Sequence, residues 1–179
     1  RFLYLYNVNR SKKYEEPLII LISLPMDTSE SSNILKSCVK IQSRIEMDVI
    51  VLVKHHPAHD RIKFIKRVPL FLDESFIQTN DSMSDLLGSI SLLISSASSS
   101  CAEAASLGIP VAVHGNRYGI TMSPINDHVN GYLNNIFYSK PQLVEFIRLY
   151  LGMNYNNSSI DETFFRDNGE SARALFTCE

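Results

Sequence analysis

The stretch ISSASSSCAEAASLGIPVAV, residues 94–113, decides the fold class. It reads as the end of a buried strand, a serine cluster, a short Ala-rich helix, a Gly stop at Gly108 and a second buried strand. That order builds an anion site. Hydroxyls and free backbone N–H groups at a helix N-terminus point at whatever sits above the carboxyl end of the first strand. Open α/β sheets bind ligands at that edge, so a phosphate-bearing ligand is expected there.

The same alternation runs outward from this stretch. Residues 17–25 (PLIILISLP) and 48–57 (DVIVLVKHHP) are short, almost continuously apolar runs, as expected of parallel strands covered on both faces. Between them residues 29–45 place Ile34, Leu35, Cys38, Val39, Ile41 and Ile45 at helical spacing behind a serine-rich N-cap. Residues 68–75 (VPLFLDES) read as a third strand, 80–90 as a short helix, 91–95 as a fourth strand, 98–108 as a helix and 109–115 as a fifth strand. Residues 116–131 are a Gly-, Asn- and Pro-rich loop, 140–151 an amphipathic helix, and 163–176 a final helix. Strands alternating with helical patterns predict an α/β fold, a doubly wound, mostly parallel Rossmann-like sheet with helices on both faces. Residues 1–16 are expected to be a linker or incoming strand, and 17–179 the domain itself.

Composition narrows the class further. The chain has 179 residues, enough for one full core and too few for two large ones. A net charge of −2 supplies no basic field for nucleic acid. Three widely spaced cysteines, Cys38, Cys101 and Cys178, give neither a zinc pattern nor a disulfide framework and fit reduced cytosolic thiols. The longest apolar run, Leu18 to Leu24, is far short of a membrane span. The opening Arg1 reads as mid-protein sequence, so we expect a fragment.

Two elements carry candidate chemistry. Lys54, His55, His56 and Pro57 (KHHP) end the second strand on the same edge as the serines. A Lys and a His there can neutralise a phosphate or protonate its leaving oxygen, and Pro57 fixes the direction of His56. The alternative is a solvated strand-end loop, the expectation for His59 and Lys63 further on. Ser100-x-x-Glu103 is a capping-box pattern, but Ser95, Ser96, Ser98 and Ser99 exceed what a cap needs. Glu103 could bond a ribose hydroxyl. Glu74, expected to end the third strand at that edge, is a second carboxylate for ribose or base, with Asp73 its alternate because register is uncertain by a residue. Asn116, Arg117 and Thr121 could touch a sugar if their loop is more than a connector. His114 and His128 lack metal-like spacing. The absence of G-x-x-x-x-G-K-[ST], G-x-G-x-x-G and G-x-S-x-G weighs against a P-loop ATPase, an NAD enzyme and an α/β-hydrolase.

Ser99 to Val111, S-x-x-x-E-A-x-x-x-G-x-P-V, is similar to the donor-phosphate helix of GT-B glycosyltransferases and of the related non-hydrolysing sugar epimerases. Residues 127–133 (DHVNGYL) resemble the later donor-side loop, and the likeness covers most of residues 17–176. More narrowly, His56-Pro57 and the Ser95–Ser100 cluster resemble the HP and S/SS motifs of bacterial sialyltransferases, polysialyltransferases and Kdo transferases. That resemblance implies a CMP-sugar donor, with UDP-sugar the alternative. His56 would be the catalytic contact to the departing phosphate. Lys54, Pro57, the serines at 95, 96, 98, 99 and 100, Glu103 and Glu74 would form the donor site. It also implies an acidic base in an N-terminal acceptor domain not seen in this sequence. The full-length protein would then be an enzyme of bacterial surface-polysaccharide synthesis, while activity of this chain alone stays open. No bound metal or other cofactor is implied. The partners implied are a nucleotide-sugar donor and a glycan or glycolipid acceptor, with no nucleic acid, in the cytoplasm or peripheral to the inner membrane. A sugar-nucleotide epimerase domain and a non-catalytic α/β binding module are the rival readings.

Overall fold

A computed structural model describes residues 17–116, 118 and 134–156. Among these residues six strands form one sheet: β1 (Leu18–Ser23), β2 (Val49–Lys54), β3 (Ile77–Gln78), β4 (Leu92–Ser95), β5 (Val111–His114) and β6 (Asn134–Phe137). Their order is β3-β2-β1-β4-β5-β6, and every neighbouring pair is parallel. Among the described residues five helices accompany them: α1 (Thr28–Cys38), α2 (Arg61–Arg67), α3 (Met83–Leu87), α4 (Ser99–Ser106) and α5 (Lys140–Asn156).

Strand alternation divides the core in two. Ile20, Ile22, Val51, Val53 and Ile94 face one layer, against Ile34, Leu35 and Cys38 of α1, Phe64 of α2 and Leu143, Phe146 and Ile147 of α5. Leu21, Leu93, Val111 and Val113 face the other, against Leu86 and Leu87 of α3 and Cys101, Ala104 and Ala105 of α4. Both sheet faces are thus covered, which is why the central strands are apolar throughout. The chain leaves β1 toward α1 on one face and β4 toward α4 on the other. The strand order reverses between β1 and β4, and that is where a doubly wound sheet opens a crevice at its carboxyl edge.

Several sequence expectations need correction. Residues 68–75 do not form a strand: Pro69–Leu72 is a 3-10 turn that buries Phe71, and β3 follows at Ile77–Gln78. Residues around Lys63, expected as loop, form α2, capped by Asp60, whose carboxylate accepts from the Lys63 N–H at 2.9 Å. With seven residues and one fully buried side chain, α2 has too short a pattern to show periodicity. The expected helix 29–45 stops at Cys38, because Lys40 turns to φ 54° and the chain continues as a 3-10 turn at Gln42–Arg44. Ile41 and Ile45 are nevertheless buried, so the apolar pattern outlasted the helix. Strand β6 carries little strand signal in the sequence, since its Asn-Asn start is disfavoured in strands. Residues 1–16, Arg117, the loop beyond Tyr118, residues 127–133, Cys178 and the expected helix 163–176 lie outside the described residues.

Candidate functional site at the carboxyl edge of the sheet

Three turns leave the sheet side by side at the switch point: residues 24–27 after β1, 55–60 after β2 and 96–98 after β4. Strands β2 and β4 flank β1, so their ends stand about 10 Å apart, two inter-strand spacings. A ligand the size of a phosphorylated nucleoside reaches across that gap.

The serine turn is largely a self-bonded scaffold. Ser95 is fully buried, and its hydroxyl donates to the Ser23 carbonyl at 2.7 Å, tying β4 to β1. Ser98 is the N-cap of α4: its Oγ accepts from the Ser100 N–H at 3.4 Å and from the Ser100 hydroxyl at 3.0 Å. The cap is therefore Ser98, not Ser100, and the expected capping box with Glu103 is out of register by two residues. Glu103 is buried one turn into α4, while Ser99 is exposed beside the cap. The Cys101 thiol donates to the Ser96 carbonyl at 3.2 Å, and burial pushes its pKa up to about 12, which removes it as a nucleophile. Buried Cys38 is raised to about 12 for the same reason.

The KHHP turn is built differently. The Lys54 ammonium donates to the Asp81 carbonyl and so fixes the end of β2 to the turn before α3. An ammonium has three donors, so the bond leaves donors for a ligand. His55 points among the rings of Phe64 and Phe71, with centroids 6.1 and 5.8 Å away, and its buried Nδ1 has no hydrogen-bond partner. Its pKa is lowered, first by desolvation and then by Arg61, His59, Lys54 and His56. His56 is half-buried, and its Nδ1 accepts from the Ala58 N–H at 3.2 Å. In the neutral ring that bond assigns the proton to Nε2, which makes Nε2 the donor toward a ligand oxygen. Pro57 is exposed at the start of the turn.

His59, expected to be solvated, is instead an anchor. Its Nε2 bonds the Met26 carbonyl at 2.7 Å, and its ring stands edge-on to Phe64 at 4.8 Å. It therefore joins the turn after β2 to the turn after β1. Lys63 is exposed on α2. Glu74 is the expectation that fails outright. It precedes β3 rather than ending a strand, so it lies at the amino edge, where its neighbour Ser75 receives the Lys40 N–H at 3.2 Å. Asp73 lies there too, its carboxyl held below the usual range by bonds from the Ser75 hydroxyl and N–H.

The residue that sequence reasoning missed is Glu30. It stands in the first turn of α1, half-buried, at the sheet edge that the three turns share. Burial raises its pKa, the Ser96 hydroxyl lowers it in part, and nearby Asp27 raises it. The clue was available: the turn after β1 shares the edge of the other two, and D-T-S-E opens its helix. After β5, Gly115 donates its N–H to the Phe137 carbonyl at 2.8 Å, and any side chain there would collide with the Tyr138 ring. His114 is buried edge-on to Phe137 with Nδ1 lacking a hydrogen-bond partner, and desolvation lowers its pKa. Among the described residues no group of His, Cys, Asp and Glu could hold a metal ion, and no helix is long and apolar enough to cross a membrane.

This arrangement has structural counterparts. No protein-family model matches the chain, and no curated protein matches it by sequence. Solved structures do. The wall teichoic acid polymerase TagF, in a variant soaked with CDPG, superposes with a TM-score of 0.55 at 13% identity, over 96% of this chain and 43% of TagF. The fold is the Rossmann-like half of the GT-B architecture. A putative UDP-N-acetylglucosamine 2-epimerase from Listeria monocytogenes matches at TM-score 0.58 and 16% identity, over 96% of this chain and 49% of the epimerase. The C-terminal domain of a glycosyl transferase group 1 family protein (LpcC) from Francisella tularensis matches at 0.54 and 15%, over 90% of this chain and 87% of that domain. This GT-B-like chain spans less than half the length of the polymerase and of the epimerase.

Proposed function

We propose that the chain is the donor-binding domain of a glycosyltransferase that takes a nucleotide-sugar, a CMP-sugar first and a UDP-sugar second. The observation that carries this reading is the pair of turns flanking β1 at the switch point, one with the Nε2 donor of His56 and the Lys54 ammonium, the other with the N-terminus of α4. The acceptor hydroxyl attacks the anomeric carbon, the bond from that carbon to the phosphate oxygen breaks, and the nucleotide leaves as an anion. His56 and Lys54 stabilise the charge that develops on the leaving phosphate, together with Ser98, Ser99 and the α4 N–H groups. Pro57 holds His56 in place, and Ser95 and Ser100 support the phosphate turn from beneath. Glu103 is the carboxylate left for ribose. The acidic group that activates the acceptor would come from a second domain. The bacterial surface-polysaccharide role, cytoplasmic location and peripheral membrane contact suggested by the HP and S/SS motifs belong to the same proposal.

Calorimetric titration with CMP, UDP and GDP tests it. CMP is expected to bind most tightly, and both His56→Ala and a Ser98→Ala/Ser99→Ala double variant should weaken it. A preference for UDP would remove the CMP-sugar refinement. No binding to any of the three at millimolar concentration would leave a non-catalytic α/β module. The epimerase reading draws on a fold likeness of similar strength; transfer of sugar to an acceptor by the full-length protein, without epimerised product, separates the two.

A further inference from the structure

The side chains that flank β1 at the switch point are polar. A nucleotide-sugar also presents ring faces, and ligand sites are lined largely by apolar and aromatic groups. A large ring stands at the same edge of the sheet. Tyr138 follows β6 directly, is 47% exposed, and is tied to the start of α5 by its N–H, which donates to Gln142 Oε1 at 2.8 Å. Its ring lies over Gly115, which follows β5 and is buried. Gly115 has no positive φ, so its backbone admits any residue. What the position excludes is a Cβ, because the Tyr138 ring fills that space. The ring is thus seated on backbone while half of its surface stays open.

Strand parity sets the side on which this happens. Val111 and Val113 face the layer of α3 and α4, so a side chain at residue 115 would point there too. Ile136, two residues before Tyr138, packs against the same layer. Helix α4 lies over β4 and β5 on that face and begins at their carboxyl end. Val113 is level with Ser95 in the β4–β5 register. Two residues further along each chain are Gly115 and Ala97, the latter in the turn that opens α4. The Tyr138 ring therefore stands one inter-strand spacing, about 5 Å, from the serine turn, on the side where α4 starts.

We propose that Tyr138, seated on Gly115, is the platform on which the sugar ring of the donor rests, and so a specificity-determining residue of the donor site. This rests on the nucleotide-sugar reading above. The sugar is bonded directly to the phosphate at the start of α4, whereas the ribose holds the base away from it. A ring one strand from that phosphate meets the sugar first. The tyrosine offers an apolar face to the C–H groups of a sugar ring and a hydroxyl at its rim. Being already seated, it loses little side-chain freedom when the sugar arrives.

The test compares ligands that differ by the sugar. The chain, Tyr138→Ala, Tyr138→Phe and Gly115→Ala are titrated with UDP and UDP-glucose, and with CMP and CMP-sialic acid, each ligand serving as its own reference across the variants. Tyr138→Ala should weaken the sugar-bearing ligand that the parent binds about tenfold, or about 1.4 kcal/mol, within the range for losing an aromatic stacking partner. The matching free nucleotide should stay within about twofold. Tyr138→Phe keeps the ring face and should retain most of the sugar-bearing affinity. Gly115→Ala, which unseats the ring without removing it, should weaken the same ligand to an intermediate degree. Equal weakening of both members of a pair, or no change in either, overturns the assignment. So does a Phe variant as weak as the Ala variant, or a parent that binds a free nucleotide but neither sugar-bearing ligand. Failure of the parent to bind any of the four overturns the donor-site reading itself, a result distinct from binding that Tyr138→Ala leaves unchanged.

Discussion

The turns after β2 and after β4 stand on either side of the same strand, yet they spend their polar groups in opposite ways. In the serine turn the hydroxyls of Ser95 and Ser100 are engaged with the Ser23 carbonyl and the Ser98 hydroxyl. In the KHHP turn Lys54 and His56 each make one bond that orients them and retain donors beyond it. A row of hydroxyls looks like a binding surface in sequence, but most of these shape the cradle; the histidine and lysine are the groups with capacity to spare. The difference follows from burial: Ser95 and Ser96 are inside, where an unmade hydrogen bond costs more than a made one gains, whereas Lys54 and His56 are only half-buried.

That contrast can be broken in graded steps. Phe64→Ala should have the largest effect, since Phe64 is buried beneath both His55 and His59 and packs on Phe71 at 5.4 Å. A loss of about 3–5 kcal/mol is expected in denaturant unfolding. Nucleotide affinity should fall with it, because His59 loses its seat. Ser95→Ala should come next, at about 1–3 kcal/mol of stability, by leaving the Ser23 carbonyl without that donor. Nucleotide affinity should change little, and a large loss of affinity with unchanged stability would reverse the scaffold role given to Ser95. His56→Ala should do the converse, weakening CMP about tenfold, or about 1.4 kcal/mol, with an unfolding midpoint close to that of the parent. If the midpoint drops instead, His56 belongs to the scaffold as well.

The smallest effect is expected from pH. Burial holds the His55 and His114 rings below their ordinary pKa of 6.5, so below that pH the unfolded chain binds more protons than the folded one. Their contribution to stability is complete above pH 6.5 and is lost as pH falls through the lowered folded values. Glu30, with its pKa raised, acts in the opposite sense: its contribution is complete below the unfolded value of 4.5 and is lost as pH rises through the raised folded value. Replacing His114 by Phe leaves Glu30 untouched. The variant should show a shallower rise of stability with pH on the acid side of neutrality, by at most about 1.4 kcal/mol per pH unit. An identical slope would mean that His114 is not held neutral.

Much of the fold was legible because buried parallel strands announce themselves. Residues 17–25, 48–57, 91–95 and 109–115 are each centred on a short apolar run, and each contains a strand of the sheet. The edges were illegible for the same reason. Strand β3 has two residues with Ile77 exposed, β6 begins with two asparagines, and α2 buries one residue fully, so none carries a long apolar pattern. Misreading 68–75 as a strand moved Glu74 and Asp73 to the wrong end of the sheet. A small error in element type became a displacement across the whole molecule.

What the sequence determined by itself is the layer order and the edge: apolar runs must be covered on both faces, and a parallel strand followed by a helix presents that helix's N-terminus at the strand's carboxyl end. Which groups stay available at that edge was decided only by tertiary structure. Ser95 meets Ser23 across 72 positions of chain, and His59 meets Met26 across 33. A hydroxyl or carboxylate has the same valence for a neighbouring strand as for a ligand. Only the packing of β1 against β4 settles which of the two it serves.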